Sequence, residues 1–98
     1  MSIPQERRRY PRAEVKWPVI VNEPQGPMDG VIRDVSFGGA LIRCPKPLNL
    51  REAFGILINV PDVNRPMELV AEIVRSSMQD SDDEIAPWAM GVKFKDIN

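Results

Sequence analysis

Two short segments of the sequence combine residue types that suit the binding of phosphate groups and planar rings. The first runs from Glu6 to Arg12 and holds four arginines, namely Arg7, Arg8, Arg9 and Arg12. A guanidinium group is a planar fork that matches phosphate oxygens, and it also stacks on aromatic rings. Pro11 disfavours helical backbone at Tyr10, so we expect an irregular arm whose arginines converge on one anion. Taken alone, this segment is better explained as a solvated basic terminus.

The second segment, residues 34–39, reads Asp-Val-Ser-Phe-Gly-Gly. The side chains of Asp34 and Ser36 leave the same face of an extended backbone. A carboxylate accepts from two donors at once, as guanine N1–H and N2–H offer, and a hydroxyl group binds a third polar atom. Gly38 and Gly39 permit a left-handed turn or the close approach of a flat ligand. The alternative is a plain β-turn in which Asp34 and Ser36 bond to their own backbone.

The composition of the chain removes most catalytic and metal-binding chemistry. Its 98 residues suffice for one small domain, and 43% of them are hydrophobic, which is typical of a globular protein. It has no histidine and one cysteine, which excludes histidine-dependent nucleophiles, an intrachain disulfide and a thiolate metal cluster. We therefore expect a binding domain that is not an enzyme and has no cofactor or metal.

Charge is distributed unevenly along the sequence. The formal net charge is -1, so no overall positive field would draw the protein onto a nucleic-acid polymer. Residues 1–16 nevertheless hold five basic side chains against two acidic ones, whereas residues 80–84 hold four carboxylates. The basic arm predicts a local anion site, and the acidic run predicts a solvated loop.

The hydrophobic pattern predicts strands rather than helices. Ten prolines leave few windows for a long helix. Runs of β-branched and aromatic residues predict six short strands, at residues 15–21, 30–35, 40–43, 55–60, 67–75 and 89–95. In the last run Met90, Val92 and Phe94 alternate with Gly91 and Lys93, so one face is buried. This spacing predicts an all-β fold, a small six-stranded antiparallel β-barrel.

Residues between the predicted strands and at their ends give further expectations. Asp29-Gly30 predicts a hairpin turn ahead of the second strand. Residues 48–54 predict at most a short helical turn, with Asn49 and Glu52 as a weak capping pair. Three residues at strand ends are interpreted as packing residues: Trp17, Cys44 and Trp88. Three further cations contribute to an anion site only if the fold brings them near it: Arg43, Arg65 and Arg75.

Taken together, the two segments resemble the PilZ domain family. The matching residues are Arg8 and Arg12 for its Arg-x-x-x-Arg motif, and Asp34, Ser36 and Gly39 for its Asp-x-Ser-x-x-Gly motif. Gly91 and Phe94 match the Gly-x-x-Phe strand that commonly ends such domains. Each motif is short, but their order, spacing and strand context together are specific, and they extend over essentially the whole chain.

This resemblance implies a bacterial receptor for cyclic di-GMP on a six-stranded barrel. Arg8 and Arg12 would clamp the phosphates and guanines of the ligand. In the family, an arginine immediately before the first motif tends to accompany a stacked ligand dimer, and Arg7 has that place here, so we expect up to two ligand molecules per domain. The guanine edge would lie in a cradle made by Asp34, Ser36, Gly38 and Gly39. The arm would order over the ligand and so signal to a protein partner.

The expected organisation is one domain over residues 1–98. Residues 1–14 would form a flexible basic ligand-binding arm, and residues 15–98 the barrel body. Many family members continue into a C-terminal helix, whereas this sequence stops at Asn98, so either the sequence is a piece of a longer protein or this member lacks the helix. A lone free thiol and the lack of an apolar span predict a cytoplasmic location without membrane insertion.

Other functions stay open on the sequence alone. A barrel of the same fold that no longer binds nucleotide would act as a protein-interaction adaptor. Binding of single-stranded nucleic acid through the arm is disfavoured by the acidic balance and the lack of interleaved aromatic residues. A hydrolase built on Ser36 is the weakest option, because the sequence has no histidine and no Gly-x-Ser-x-Gly elbow.

Overall fold

Six antiparallel strands form a closed barrel. The computed structural model describes residues 12–78 and 85–95. The strands are β1 (Ala13–Glu23), β2 (Gly26–Val35), β3 (Gly39–Cys44), β4 (Ala53–Ile58), β5 (Met67–Met78) and β6 (Trp88–Phe94). Their order around the barrel is β1-β2-β3-β6-β5-β4, and β1 pairs with β4 to close it. The described residues contain no helix, which confirms the predicted all-β fold. Among them there is accordingly no helix that could cross a membrane.

The core is built from the inward-facing residues of all six strands. The largest fully buried side chains are Val19, Val21, Ile32, Ile42, Cys44, Ile56, Ile58, Ile73 and Met90. Most of them are β-branched, and such side chains pack well on a pleated surface. In β6 the predicted alternation is confirmed only in part: Met90 and Val92 are buried and Lys93 is exposed, but Gly91 is buried as well. Trp17 and Trp88 are half-buried and pack against this core, as the sequence indicated.

Cys44 lies at the end of β3 with its side chain fully buried, and its thiol donates to the carbonyl oxygen of Lys46 at 3.3 Å. Burial raises the pKa of this thiol from 9.0 to about 11. Well below pH 9 the thiol is protonated in both the folded and the unfolded protein, and as the pH approaches 9 the unfolded thiol begins to ionise first. Between pH 9 and about 11 only the unfolded thiol ionises, so its contribution to stability is lost as pH rises through this window.

We therefore expect Cys44 to react slowly in the folded protein. At pH about 8 an alkylating reagent should label the urea-unfolded chain at least tenfold faster than the native chain, because the native thiol is buried and protonated. Mass spectrometry of timed samples measures both rates. Denaturation midpoints from neutral to alkaline pH, compared with Cys44→Ala, isolate the thiol from other titrating groups. Equal labelling rates in the two states would contradict the buried placement.

The first hairpin turn is not where the sequence predicted it. The loop is Pro24-Gln25, flanked by the paired residues Glu23 and Gly26, and Gly26 has a φ of 143°. Asp29-Gly30, the predicted turn, lies within β2 and pairs with β1 instead. The prediction was wrong because Gly30 serves packing rather than turning. A Cβ atom there would lie 2.9 Å from the carbonyl oxygen of Arg43 on β3.

Residues 48–54 form a turn and no helix, which is within the limit of at most a short helical turn that the sequence predicted. The chain makes a turn at Leu50 and Arg51 and then enters β4. Arg51 has a φ of 74°, which is left-handed backbone that a right-handed helix cannot continue through. Asn49 and Glu52, the expected capping pair, do contact each other, but they bond across this turn: Asn49 Nδ2 donates to Glu52 Oε1 at 3.4 Å.

Candidate functional site

A β-bulge in β2 determines where Asp34 points. Ile32 pairs with Ile42 and Asp34 pairs with Leu41, so Arg33 is the extra residue between them. Ile32 faces the core, and strict alternation would therefore turn Asp34 inward as well. The bulge reverses that alternation. It places the Asp34 carboxylate on the outer face of the barrel, on the same face as the Leu41 side chain. An ionisable side chain that would have been buried is thus presented on the outside of the barrel.

Asp34 lies in a surface cavity of about 380 Å³, which we term the Asp34 cavity. Its lining residues are Glu14, Val15, Arg33, Asp34, Leu41 and Arg43. Two guanidinium groups and two carboxylates therefore surround a partly apolar floor. Such a site offers donors to an anionic group and acceptors to a ring edge that carries N–H donors.

The two segments identified from the sequence meet at Asp34. Arg12 Nε lies 3.5 Å from Asp34 Oδ1, and the two side chains are 38% and 25% exposed. This contact is an ion pair without hydrogen-bond geometry. Asp34 Oδ1 is buried and has no hydrogen-bond partner among the described residues. A strong acceptor at the junction of the two segments is left without a donor, which is unusual for a buried polar atom.

The turn after β2 is closed by its own backbone. Ser36 N donates to Gly39 O at 2.8 Å, and Ser36 Oγ approaches the same oxygen at 3.4 Å. The turn is also tied to the end of β6, because Phe94 N donates to Gly38 O at 2.9 Å. Ser36 therefore bonds within its own turn, whereas Asp34 Oδ1 makes no hydrogen bond among the described residues.

Gly39 is required by packing against β6. A Cβ atom at this position would overlap the carbonyl oxygen of Val92. Gly39 pairs with Lys93 in the β3–β6 ladder, and its φ is not in the left-handed region. The sequence offered a left-handed turn or close ligand approach as the reason for this glycine. The structure shows a third reason, the close contact between two strands.

A second cavity, the Arg75 cavity, adjoins the first. It has a volume of about 320 Å³ and is lined by Leu41, Arg43, Arg75, Ser77, Ala89 and Gly91. Leu41 and Arg43 line both cavities, so the two form one trough over β1, β2, β3, β6 and β5. Arg43 is held in the trough by a bond from its Nε to Ala86 O at 3.1 Å.

The structure places only some of the residues that the sequence singled out. Arg7, Arg8 and the acidic run at 80–84 lie outside the described residues. Arg12 and Asp34 are in contact, and Ser36, Gly38 and Gly39 form the adjacent turn. Of the three further arginines, Arg43 and Arg75 line the trough, whereas Arg65 lines neither cavity. Sequence reasoning missed Arg33 and Glu14, because the bulge that brings Arg33 and Asp34 to one face has no signature in the residue pattern.

Solved structures share this barrel. The inhibitor of motility MotI/DgrA from Bacillus subtilis is 20% identical with a TM-score of 0.74, over 94% of this chain and 44% of that chain. The PilZ domain of YcgR from Escherichia coli, solved with c-di-GMP, is 20% identical with a TM-score of 0.77, over 94% of this chain and 80% of that chain. A longer YcgR structure in complex with c-di-GMP is 17% identical with a TM-score of 0.75, over 94% of this chain and 39% of that chain.

These likenesses establish the fold. The chain spans less than half the length of MotI/DgrA and of the longer YcgR structure. A search of curated protein sequences finds no significant match. The model of the PilZ domain family, however, matches residues 6–98 and therefore covers both motifs and all six strands. The chain belongs to the PilZ domain family.

Proposed function

We propose that the protein is a cytoplasmic bacterial receptor for cyclic di-GMP. It has no catalytic output of its own and passes the signal to a protein partner. The observation that carries the proposal is the contact between Arg12 and Asp34, 3.5 Å apart, which joins the two motif segments on one outer face of the barrel. Solved structures of the same fold include PilZ domains in complex with this ligand.

The chemistry of the Asp34 cavity suits this ligand. Cyclic di-GMP carries two phosphodiester groups and two guanines, so it needs cations for the phosphates and an acceptor for the N1–H and N2–H edge. Asp34 supplies the acceptor, and its unpartnered Oδ1 is matched by those guanine donors. Arg12, Arg33 and Arg43 supply guanidinium groups around it. Arg7 and Arg8 complete the clamp from the N-terminal side, with up to two ligand molecules per domain.

Ligand binding must rearrange the Arg12–Asp34 pair. Asp34 Oδ1 is buried and lies 3.5 Å from Arg12 Nε, so we expect a guanine to reach it only if Arg12 moves aside. The same movement would bring the Arg12 guanidinium to a phosphate group. The arm then changes position when the ligand binds, and this change is what a partner protein would recognise.

Calorimetric titration of the chain with cyclic di-GMP tests the proposal. We expect saturable binding of cyclic di-GMP and a lower affinity for GMP. The affinity for cyclic di-GMP should fall roughly tenfold or more in Arg8→Ala and in Arg12→Ala. Arg65→Ala is the matched control, since Arg65 is exposed and lines neither cavity. Absence of binding by the unmodified chain would refute the receptor function. It would favour the alternative, an adaptor barrel of this fold, for which the self-bonded Ser36 turn is the supporting observation.

A further inference from the structure

Strand β5 extends beyond its neighbour β4 and leaves part of one side without a partner strand. β5 has 12 residues and β4 has 6, and their pairing ends at Glu72. Ile73 makes the last backbone bonds on this side: its N–H donates to Glu52 O at 2.9 Å, and its carbonyl oxygen accepts from Arg51 N at 2.7 Å. Among the described residues, only β6 pairs with residues 74–78. We term the other side of this segment the β5 edge.

A β-bulge at Val74 determines which backbone groups face the β5 edge. After Ile73 the next residue that pairs with β6 is Arg75, so Val74 is the extra residue. Backbone groups of successive strand residues point to opposite sides, and the bulge shifts this alternation by one residue. Ser76 and Met78 therefore direct their N–H and carbonyl groups to the same side as Ile73. The bulge also turns the Arg75 side chain onto the outer face of the barrel, where it is exposed.

The side chains along the β5 edge are suited to pairing with another strand. Val74 and Met78 are large apolar residues that are 48% and 62% exposed. Arg75 is the only charged residue in the segment, and it forms no hydrogen bond or ion pair with any residue that the structure describes. The segment holds no proline or lysine, which are common in strand edges that avoid pairing. The edge therefore offers backbone donors and acceptors, apolar surface and one unneutralised cation.

Charge favours a different protein over a second copy of this chain as the occupant. Two copies paired antiparallel about Ser76 would bring Val74 of each opposite Met78 of the other, which suits apolar contact. The same pairing would place the two Arg75 side chains diagonally across the strands, roughly 7–8 Å apart, where like charges repel. A strand that carries carboxylates on its outer face avoids this repulsion and neutralises Arg75.

We infer that the β5 edge is the site where the protein partner adds a strand, and that this strand alternates apolar and acidic residues. Its backbone would exchange hydrogen bonds with Ser76 and Met78, as in other cases of strand addition. Its carboxylates would lie beside Arg75 on the outer face, and its apolar side chains would cover Met78 on the other face. The inference rests on the proposed function, which requires a partner. Because Arg75 also lines the trough, a docked strand would lie beside the proposed ligand site.

The test is a hydrogen-exchange measurement by NMR on the ¹⁵N-labelled full chain, without cyclic di-GMP, using the blocked peptide Val-Glu-Val-Glu-Val as the probe. In the free chain the amides of Ser76 and Met78 should exchange at least about tenfold faster than that of Ile73, which is bonded to Glu52 O. Saturating peptide should slow exchange at Ser76 and Met78 roughly tenfold or more.

Two modified peptides separate strand addition from nonspecific binding. The valines share a face with Ser76 and Met78, so their N–H groups would point toward the β5 edge, whereas those of the glutamates would point away. N-methylation of the central valine should therefore abolish the protection, and N-methylation of a glutamate should leave it intact. Equal protection by the two modified peptides, or no protection by the parent peptide, would overturn the docking site.

A charge reversal tests the chemistry assigned to the partner strand. Arg75→Glu should weaken binding of the parent peptide about fivefold and favour the peptide Val-Lys-Val-Lys-Val instead. Arg65→Glu is the matched control, because Arg65 is exposed and precedes the other end of β5, and it should bind as the parent chain does. Both variants should keep the unfolding midpoint of the parent. Equal binding by Arg75→Glu and Arg65→Glu would contradict the acidic character of the partner strand.

The free chain provides the remaining outcomes. Slow exchange at Ser76 and Met78 without peptide, together with a concentration-dependent dimer in sedimentation, would overturn the inference in favour of a second copy. Slow exchange in a monomer would show that the β5 edge is already covered, which also overturns it. Titration of the same sample with cyclic di-GMP measures the receptor function separately, so failure of the docking site and failure of the proposed function are distinguishable.

Discussion

Replacing Asp34 by asparagine is expected to weaken cyclic di-GMP binding roughly a hundredfold, or about 2.7 kcal/mol. The carboxylate is a charged acceptor for two guanine donors, whereas an amide offers one neutral acceptor and turns an NH₂ group toward a donor. The same change should alter the free energy of unfolding by less than about 1 kcal/mol, because the pair with Arg12 is partly exposed and lacks hydrogen-bond geometry. We thus expect Asp34→Asn to lose affinity for the ligand while its free energy of unfolding stays nearly unchanged.

Asp29→Asn is the matched control for this variant. Asp29 is an exposed carboxylate on the same strand, and it lines neither the Asp34 cavity nor the Arg75 cavity. Titration calorimetry gives the affinities and urea denaturation gives the free energies of unfolding. If Asp34→Asn binds as well as Asp29→Asn, the acceptor role assigned to Asp34 is wrong.

Gly39→Ala is expected to destabilise the barrel by about 3 kcal/mol, at the upper end of what overpacking causes. The added Cβ would overlap the carbonyl oxygen of Val92, which is backbone and cannot rotate away. The β3–β6 ladder would therefore have to open at Gly39 and Lys93. Because the neighbouring Gly38 carbonyl is bonded to Phe94 N, the turn that follows Asp34 should shift as well.

Gly55→Ala separates this overlap from the general effect of adding a methyl group to a strand. A Cβ atom on Gly55 would have only Asn22 Nδ2 within reach, at 3.9 Å. Its effect should be neutral or stabilising by up to about 1 kcal/mol, because alanine restricts the unfolded chain more than glycine does. Urea denaturation of the two variants gives the comparison. Equal stabilities would show that β3 and β6 are not in close contact at Gly39.

The strands could be predicted because each depends on a local pattern. Val19 and Val21 alternate with the more exposed residues Ile20 and Asn22 in the sequence as they do in the barrel. The hydrophobic pattern does not indicate which residues share a binding site. The family motifs supplied that prediction, because they assign residues near positions 12 and 34 to one site. The contact between Arg12 and Asp34 agrees with that expectation. The roles of Arg7 and Arg8 stay predictions, since both lie outside the described residues.

Features that depend on non-local contacts could not be predicted in this way. Asp29-Gly30 has the composition of a hairpin turn, but Gly30 is fixed by a carbonyl group of β3 that is distant in sequence. The bulges at Arg33 and Val74 are visible only once the partner strands are in register. They decide which side chains reach the trough, so Arg33 and Arg75 could not be placed on one face with Asp34 from the sequence alone.

The most direct test of the binding site is a residue-resolved NMR titration of the ¹⁵N-labelled chain with cyclic di-GMP. We expect the largest amide shifts at the trough and its turn, including Asp34, Ser36, Gly39 and Leu41, together with the arm arginines. The hairpin loop Pro24-Gln25 lies at the opposite end of β2 from Asp34, and the Gln25 amide there should stay unchanged. Shifts confined to that opposite end, or absent throughout at saturating ligand, would contradict a cyclic di-GMP site built on Arg12 and Asp34.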